Sequence, residues 1–446
     1  MDPRTTSRRT FLGLAAGTPL AAGLAACGSS GPSGGGSASG TKSGTASYWY
    51  LSGPPGEAIR TATVNRFNKA NPKTQIKPAA FLNDPYKTKV KTAIGSGQAP
   101  TIIFGWGGGT LKSYVQDNQV DDLTQWFADN PAVKNRLFPS SFGPATLNGK
   151  IYAMPAETVQ PIVLFYNKTL FEKIGAQPPQ SWNELMALVP RFNAKKIAPF
   201  ALGGASRWTN MMWLEFLFDR SGGPEVFEAV FNGEKNAWSN PIAISALTKV
   251  QDLVRAKGFI KGFSSITADS NADQALLYTG RAAMMLHGSW SYGIQKGAAP
   301  KFVTSGELGY INFPPVEGGK GDPTDTVGNP GQYLSISSKA TAAQKETAKK
   351  FFTTAVLSAA EIKDWIGSGQ VPIVNGTQSQ LAASPDAAFL KFIYDSSSRA
   401  KVFAQSWDQA LSPTAAETLL DNIAKLFQLS ISPQQFATNL NAVIGT

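Results

Sequence analysis

The sequence predicts an α/β fold in which helices cover a parallel sheet. From Ser47 onward, short apolar runs alternate with longer segments of helical pattern. Breakers such as Asn71-Pro72 and Ala99-Pro100 separate these runs. Strands that alternate with helices in this way are typical of a parallel sheet with crossover helices. The 446-residue chain is also long enough for two domains with sizeable cores.

The first elements of the predicted sheet follow each other in chain order. Each apolar run ends near a Gly or Pro, which interrupts regular structure. The predicted strands are 48–51, 75–80 and 101–104, with one polar-faced helix between Gly56 and about Ala70 and a second helix near 86–94.

Residues 148–168 are the stretch around which the rest of the chain is organised. Asn148-Gly149 can adopt the two left-handed conformations of a tight hairpin turn. Pro155 and Pro161 exclude a helix interior and cannot donate to a strand ladder, so the backbone between them is edge-like or crosses between two sheets. Residues 162–166 are all apolar or aromatic, which suits a strand covered on both faces. The stretch is therefore either a hinge between two cores or an ordinary hairpin within one sheet.

Capping signals and periodicity predict the elements that follow. Ser181 and Glu184 have the spacing of a capping box, in which each side chain bonds a backbone N–H at the start of a helix. After Thr341, apolar residues recur at three-and-four spacing, so that helix packs on a sheet. Further strands are predicted at 200–202, 282–286 and 308–313.

The N-terminus has the features of an exported lipoprotein. Arg8-Arg9 precedes a weakly apolar run that is too short for a permanent membrane span, and it resembles an export signal of the twin-arginine type. Leu24-Ala25-Ala26-Cys27 resembles the bacterial lipoprotein processing box, in which the cysteine is lipidated. We therefore predict a signal peptide at 1–26, lipidation at Cys27 and a flexible Gly/Ser tether at 27–46. A soluble secreted protein with an incidental cysteine is the alternative.

The charge and the cysteine count exclude several classes of function. The formal net charge is +11, but its densest cluster, residues 345–350, also contains Glu346 and reads as a solvated helix face. We therefore expect no nucleic-acid partner. Cys27 is the only cysteine, so the domain that follows it has neither a disulfide nor a thiol for catalysis or metal binding.

No catalytic motif stands out. No Gly-x-Ser-x-Gly elbow follows a predicted strand, and the single histidine, His287, has no acidic neighbour in the sequence. Residues 105–109 lack the Gly-Lys-Ser/Thr of a phosphate loop, and 269–280 departs from a calcium loop at its sixth and twelfth positions. We predict no catalytic residue, no metal and no cofactor. Carboxylate pairs for glycoside hydrolysis are rarely adjacent in a chain, so that alternative stays open.

The tryptophans give the clearest positive signal. Trp49, Trp106, Trp208 and Trp290 lie at or just after the ends of predicted strands, where open α/β sheets bind ligands, and glycines flank Trp106 and Trp208. A large flat ring can cover the C–H face of a pyranose while nearby amides and carboxylates bind its hydroxyls. Core packing is the interpretation preferred for the remaining rings that we singled out, Trp126, Trp182, Trp213 and Trp365.

Taken together, these features resemble an extracellular solute-binding protein of a sugar ABC importer, of the type of maltose-binding protein. The resemblance rests on the N-terminal signals, the α/β alternation, residues 148–168 and the segment from Gly280 to Trp290. It covers essentially the whole chain after the signal. Asn83-Asp84-Pro85-Tyr86, together with 102–106, looks most like the xylobiose-binding branch among actinobacterial oligosaccharide-binding lipoproteins.

The resemblance implies an α/β, two-lobe, periplasmic-binding-protein-like fold of type II, with a ligand cleft between lobes that hinge strands join. The chain would cross between lobes near 155–158, 328–332 and 371–375. Lobe 1 would comprise 47–157 plus 332–374, and lobe 2 would comprise 158–331 plus 375–446.

The resemblance also implies a set of ligand contacts. Gln160 falls where maltose-binding protein has an acidic sugar contact, Trp208 and Trp290 fall near stacking aromatics, and Trp407-Asp408 falls near the C-terminal one. Gln at 160 and glycine at 107–109 depart from the family pattern, which affects the hydroxyl pattern of the ligand. The predicted ligand-binding residues are Asn83, Asp84, Trp106, Gln160, Trp208, His287, Trp290, Asn329, Trp407 and Asp408.

The predicted function is that of a substrate-binding lipoprotein and not of an enzyme. It would be a monomer, held on the extracellular face of the cell membrane by its N-terminal lipid, and would deliver a neutral oligosaccharide to ABC permease subunits. Xylobiose or a xylo-oligosaccharide is the first choice, and chitobiose, cellobiose or maltose are the alternatives. A secreted carbohydrate-active enzyme and a lipoprotein scaffold that binds only proteins are the competing classes.

Overall fold

The computed structural model describes residues 44–445. The predicted signal peptide, the lipidation site at Cys27 and nearly all of the predicted tether lie outside the described residues. Within 44–445, no helix combines the length and the apolar character that crossing a membrane requires.

Thirteen strands form two mixed sheets and one two-stranded hairpin among these residues. In chain order, the strands are β1 (Ala46–Leu51), β2 (Ile76–Phe81), β3 (Ile102–Gly105), β4 (Thr146–Leu147), β5 (Lys150–Ile151), β6 (Met154–Ala156), β7 (Gln160–Asn167), β8 (Ala198–Ala201), β9 (Ala282–Gly288), β10 (Leu308–Ile311), β11 (Thr326–Asn329), β12 (Gln332–Ile336) and β13 (Phe403–Gln405).

Helices fill the connections between the strands. Three short segments, Pro139–Ala145, Ala237–Ser239 and Phe263–Ser265, are 3₁₀ helices. The α-helices are α1 (Gly56–Ala70), α2 (Asn83–Gly95), α3 (Gly108–Gln116), α4 (Thr124–Asp129), α5 (Pro131–Asn135), α6 (Lys168–Lys173), α7 (Trp182–Ala194), α8 (Trp208–Gly222), α9 (Pro224–Phe231), α10 (Pro241–Arg255), α11 (Ala272–Tyr278), α12 (Ser291–Ala298), α13 (Pro300–Thr304), α14 (Ala342–Thr354), α15 (Ala359–Gly367), α16 (Gln378–Ala382), α17 (Ala387–Ser398), α18 (Trp407–Ala410), α19 (Pro413–Phe427) and α20 (Pro433–Asn441).

The first sheet has the strand order β2-β1-β3-β12-β6. β1 runs parallel to both β2 and β3, which confirms the predicted parallel arrangement for the N-terminal strands. β12 is antiparallel to β3 and β6. The sequence pattern could not predict this reversal, because β12 enters from the second sheet and not through a crossover helix.

The predicted hairpin lies just before the connection between the two sheets. β4 and β5 pair around Asn148 and Gly149, whose φ angles of 49° and 77° are the left-handed values that the turn requires. β6 then joins the first sheet, and β7 begins the second sheet after a connection of three residues. The stretch therefore contains both a hairpin and a connection between sheets. That this connection bends as a hinge stays a prediction.

The second sheet has the order β13-β11-β7-β9-β8, with β10 also paired to β7. β7 is a strand covered on both faces, as its composition predicted. Ile162 and Leu164 belong to one hydrophobic cluster, whereas Val163 and Phe165 belong to the other. The predicted strands 200–202, 282–286 and 308–313 correspond to β8, β9 and β10.

The other two predicted crossings lie beside the first one. β11 belongs to the second sheet and β12 to the first, so the chain passes between sheets from Asn329 to Gln332. Residues 371–373 contact 157–159 through backbone hydrogen bonds, in which the N–H of Ile373 donates to Glu157 and the N–H of Val159 donates to Val371.

The predicted capping box before α7 is half right. The Ser181 side chain accepts a hydrogen bond from the N–H of Glu184, as predicted. The Glu184 carboxylate, however, accepts from the N–H of Gln180 and not from that of Ser181. The full reciprocal box occurs instead between Thr341 and Gln344, at the start of α14.

A buried ion pair anchors the connection between the sheets. Glu157 has a φ angle of 62°, an unfavourable value for a residue other than glycine. Its carboxylate accepts two hydrogen bonds from Arg60, at 2.6 and 2.7 Å, and both residues are less than a tenth exposed. Arg60 also donates to the carbonyl of Leu51 at the end of β1. The pair thus joins α1, β1 and the connection at one point.

Removing the Glu157 charge should destabilise the fold strongly. In Glu157→Gln, the buried guanidinium of Arg60 loses its counter-charge, and we expect a loss of about 3 kcal/mol in the free energy of unfolding, measured with urea. The matched control is Asp364→Asn, which breaks the more exposed pair between Arg66 and Asp364 and should cost less than about 1 kcal/mol. Equal losses in the two variants would contradict this role for the buried pair.

A second buried carboxyl near this pair should make stability depend on pH. Burial, with a smaller contribution from the Glu157 charge, raises the pKa of Glu361 to about 7. The folded protein then keeps a proton that the unfolded chain releases near 4.5, so stability falls as the pH rises between these values.

Glu361→Gln should remove this part of the pH dependence. Between about pH 5 and about pH 8, the free energy of unfolding should fall by up to about 3 kcal/mol more in the wild type than in the variant. Urea titrations at both pH values measure the difference, and Glu346→Gln, at a solvent-exposed glutamate, is the control. Parallel pH profiles for all three proteins would be evidence against the raised pKa.

Candidate functional site

A cavity of about 200 Å³ lies where the carboxyl ends of the first-sheet strands face the second sheet. The ends of β1, β2 and β3 deliver Leu51, Leu82 and Trp106 to its lining, and β7, β9 and β11 deliver Gln160, His287 and Asn329. Ligands of open α/β sheets bind at this edge. The cavity is therefore the candidate functional site, and we refer to it as the cleft.

Three rings form an aromatic wall on the second-sheet side of the cleft. The ring centroids of Trp208 and Trp290 lie 5.4 and 5.3 Å from that of His287, and 6.1 Å from each other. Gly288 makes room for this wall, because a Cβ there would lie 1.8 Å from the Trp290 ring. The indole N–H of Trp208 donates to Asp84 across the cleft at 3.2 Å.

Trp106 lies on the opposite side, at the end of β3. Its ring packs edge-on against Phe104 and Tyr86, with centroids 5.4 and 6.4 Å away. The ammonium group of Lys87 lies 5.2 Å from the ring centroid. We call the part of the protein built on the first sheet and the part built on the second sheet its two halves. Aromatic rings from both halves therefore border the cleft.

Trp407 does not reach the cleft. Its ring is fully buried and stacks on Phe227 at 4.5 Å, with Phe218 and Trp238 at its edges. The Trp407 backbone N–H donates to the buried carboxylate of Glu215, which fixes the start of α18. Because the ring turns into the core, its chain neighbours Ser406, Asp408 and Gln409 line the cleft instead.

His287 has an acidic neighbour in space that the sequence did not reveal. Its Nε2 lies 3.4 Å from a carboxylate oxygen of Asp273, and its Nδ1 shares a hydrogen bond of 2.6 Å with Ser291. The Ser291 side chain is completely buried, so no substrate can reach its hydroxyl. The three residues hold the imidazole ring in the aromatic wall and leave no accessible nucleophile.

The cations in the cleft lining are neutralised by the protein itself. Among the described residues that line the cleft, the positive charges are Arg60, bound to Glu157, and Lys87, bound to Asp408 at 2.9 Å. Asp269 accepts a hydrogen bond from the N–H of Asp84, and burial raises the pKa of its carboxyl. An anionic ligand would therefore find no unpaired cation here, whereas a neutral polar ligand meets no such obstacle.

Several buried polar atoms of the lining lack a partner. The side-chain oxygens of Gln274 and Asn329 and the indole nitrogen of Trp365 make no hydrogen bond within the described part of the protein. Buried polar groups are nearly always hydrogen-bonded in folded proteins. These atoms could therefore bind the hydroxyl groups of a ligand.

The structure brings most of the predicted ligand contacts together. Asp84 is not part of the cleft lining but accepts a hydrogen bond from Trp208, and Trp407 is in the core. Sequence reasoning missed Gln274, Asp269 and Gln370, although the polar run that begins at Asp269 was a signal for the first two. The predicted residues that line the cleft are Asn83, Trp106, Gln160, Trp208, His287, Trp290, Asn329 and Asp408.

Comparison with known sequences finds a family match over most of the chain. The model of the family described as bacterial extracellular solute-binding protein matches residues 52–362. The chain is 28% identical over 322 residues to the multiple sugar-binding protein of Streptococcus mutans serotype c. The aligned region covers 67% of this chain and 69% of that protein.

Comparison with solved structures finds the same architecture. One structure, from work on xylan utilization by the thermophilic bacterium Caldanaerobius polysaccharolyticus, is 30% identical, with a TM-score of 0.80 over 90% of this chain and 100% of that one. A chitin oligosaccharide binding protein is 24% identical, with a TM-score of 0.79 over 90% and 97% of the two chains. The second match shows the fold alone, and together the matches confirm the predicted two-lobe α/β fold.

Proposed function

This chain belongs to the family of bacterial extracellular solute-binding proteins, and we propose that it captures a neutral oligosaccharide in the cleft and delivers it to an ABC permease. One observation carries the sugar assignment: the cleft combines aromatic faces, unpartnered polar atoms and cations that are already neutralised. Sugars are bound by that combination, because their C–H faces stack on rings and their hydroxyls need hydrogen-bond partners.

Xylobiose or a short xylo-oligosaccharide is the proposed ligand. The 30% identical structure from work on xylan utilization supports this choice, and so does the resemblance of residues 83–86 and 102–106 to the xylobiose-binding branch. Chitobiose, cellobiose and maltose are the alternative ligands.

The remaining parts of the proposal concern where the protein acts. We propose a monomer, lipidated at Cys27 and held on the extracellular face of the cell membrane by the tether at 27–46. There two lobes would close on the sugar by bending at the connections between the sheets. Lobe 1 comprises 47–157 plus 332–374, and lobe 2 comprises 158–331 plus 375–446. The bound sugar would be released unchanged to the permease, as membership of the solute-binding family suggests.

Isothermal titration against a panel of sugars tests the proposal. Xylobiose and xylotriose should bind most tightly, ahead of chitobiose, cellobiose and maltose, and an acidic disaccharide should bind weakly because the cations are already paired. No heat with any neutral sugar would refute the sugar assignment. Product analysis after long incubation with the tightest ligand is the enzyme test, since shorter sugars would indicate hydrolysis.

Removing the aromatic wall should weaken binding without unfolding the protein. Trp208→Ala deletes a ring of the wall, and we expect a loss of about 1–3 kcal/mol in binding free energy, in the range of ring stacking at other aromatic sites. Phe231→Ala is the matched control, because this ring is 51% exposed and lies outside the cleft. Titration of both variants measures the difference, and equal affinities would show that Trp208 does not contact the ligand.

A further inference from the structure

The glycines that follow Trp106 pack against the backbone of the opposite half of the protein. A Cβ on Gly109 would lie 2.1 Å from the carbonyl oxygen of Leu411 and 2.6 Å from that of Ala410. Carbon and oxygen cannot approach so closely, so the absence of a side chain at 109 is what permits this contact.

This contact joins two elements that belong to different sheets. Gly109 is in the first turn of α3, which follows β3 of the first sheet. Leu411 directly follows α18, which comes after β13 of the second sheet. Two polar contacts lie beside it, the hydrogen bond from Gln405 to the carbonyl of Trp106 at 2.7 Å and the pair of Lys87 with Asp408. The glycine contact therefore lies where elements of the two halves meet, close in sequence to the cleft-lining residues Trp106 and Asp408.

The reason for a glycine at 109 differs from the reason at the two preceding positions. Gly107 and Gly108 have φ angles of 75° and 61°, so their backbone already favours glycine. Gly109 has no left-handed backbone and lies inside α3, where alanine is the better helix former. Local structure alone would thus favour alanine at 109, and the backbone carbonyls of Leu411 and Ala410 oppose it.

We propose that Gly109 sets the ligand affinity without touching the ligand, because its missing side chain lets α3 close against the Leu411 carbonyl. The inference rests on the proposed function, since it assumes that the halves close on a bound sugar. A larger residue at 109 would collide with this carbonyl in the closed state and destabilise it. Ligand affinity would fall, because closure would then cost more free energy.

The competing interpretation is a permanent packing contact. If α3 and Leu411 stay together whether or not ligand is present, a Cβ at 109 would destabilise the folded protein itself. If they meet only on closure, the ligand-free variant can open and avoid the collision. Its thermal stability would then be unchanged, or raised by the better helix propensity of alanine.

The test compares Gly109→Ala with Gly105→Ala. A Cβ on Gly105, at the end of β3, would meet no atom within 4 Å, so this variant adds the same methyl group on the same segment without a collision. We expect Gly109→Ala to bind the wild type's tightest oligosaccharide at least about tenfold more weakly, with no fall in ligand-free melting temperature. Gly105→Ala should match the wild type in both measurements.

Small-angle X-ray scattering supplies a readout that affinity alone does not. The radius of gyration of Gly109→Ala should stay above those of the wild type and Gly105→Ala at the same sugar saturation. Wild-type affinity in Gly109→Ala, or a melting temperature that falls in the absence of ligand, would overturn the inference, and so would failure of the variant to fold. If the wild type binds no sugar, the proposed function fails and the inference fails with it, whereas a wild type that binds sugar and a Gly109→Ala variant of equal affinity would overturn the inference alone.

Discussion

The bidentate bond between Arg60 and Glu157 is the interaction on which the geometry of the molecule depends most. It holds Glu157 in an unfavourable left-handed conformation at the point where the chain leaves the first sheet for the second. Arg60 also borders the cleft and bonds the end of β1. Desolvating both charges costs free energy, and only the close geometry of the pair compensates for that cost. One buried contact thus relates the ligand site to the connection between the sheets.

In the cleft, the positive side chains are paired with carboxylates of the protein, whereas several uncharged polar atoms have no partner. Lys87 is neutralised by Asp408, and Arg60 by Glu157, while Gln274 and Asn329 keep buried oxygens without partners. Amides can donate and accept, and they bind hydroxyl groups without the desolvation cost of an ion. Discrimination between sugars would then come from which hydroxyls meet these atoms and from the shape of the aromatic wall.

Local sequence patterns predicted most elements of the fold, whereas contacts between residues far apart in the sequence could not be predicted. The strands, the turn at Asn148 and the double coverage of β7 follow from periodicity and backbone preference. Glycines flank Trp106 and Trp208 in the sequence, and both rings border the cleft. Trp407 was assigned from its position in the resemblance, which located the Trp407-Asp408 pair but did not tell which of the two side chains faces the cleft. The bond between Arg60 and Glu157 spans 97 positions, and no local pattern reports such a pairing.

The interleaved strand order has a consequence for how the protein is made. β12, an inner strand of the first sheet, is encoded at Gln332–Ile336, more than 200 residues after β3, its neighbour. The nascent chain therefore cannot complete its first sheet until most of the polypeptide has left the ribosome. Such long-range pairing slows folding and prolongs the lifetime of states with unpaired strand edges. The N-terminal half alone should thus be a client for chaperones and not an independently folding domain.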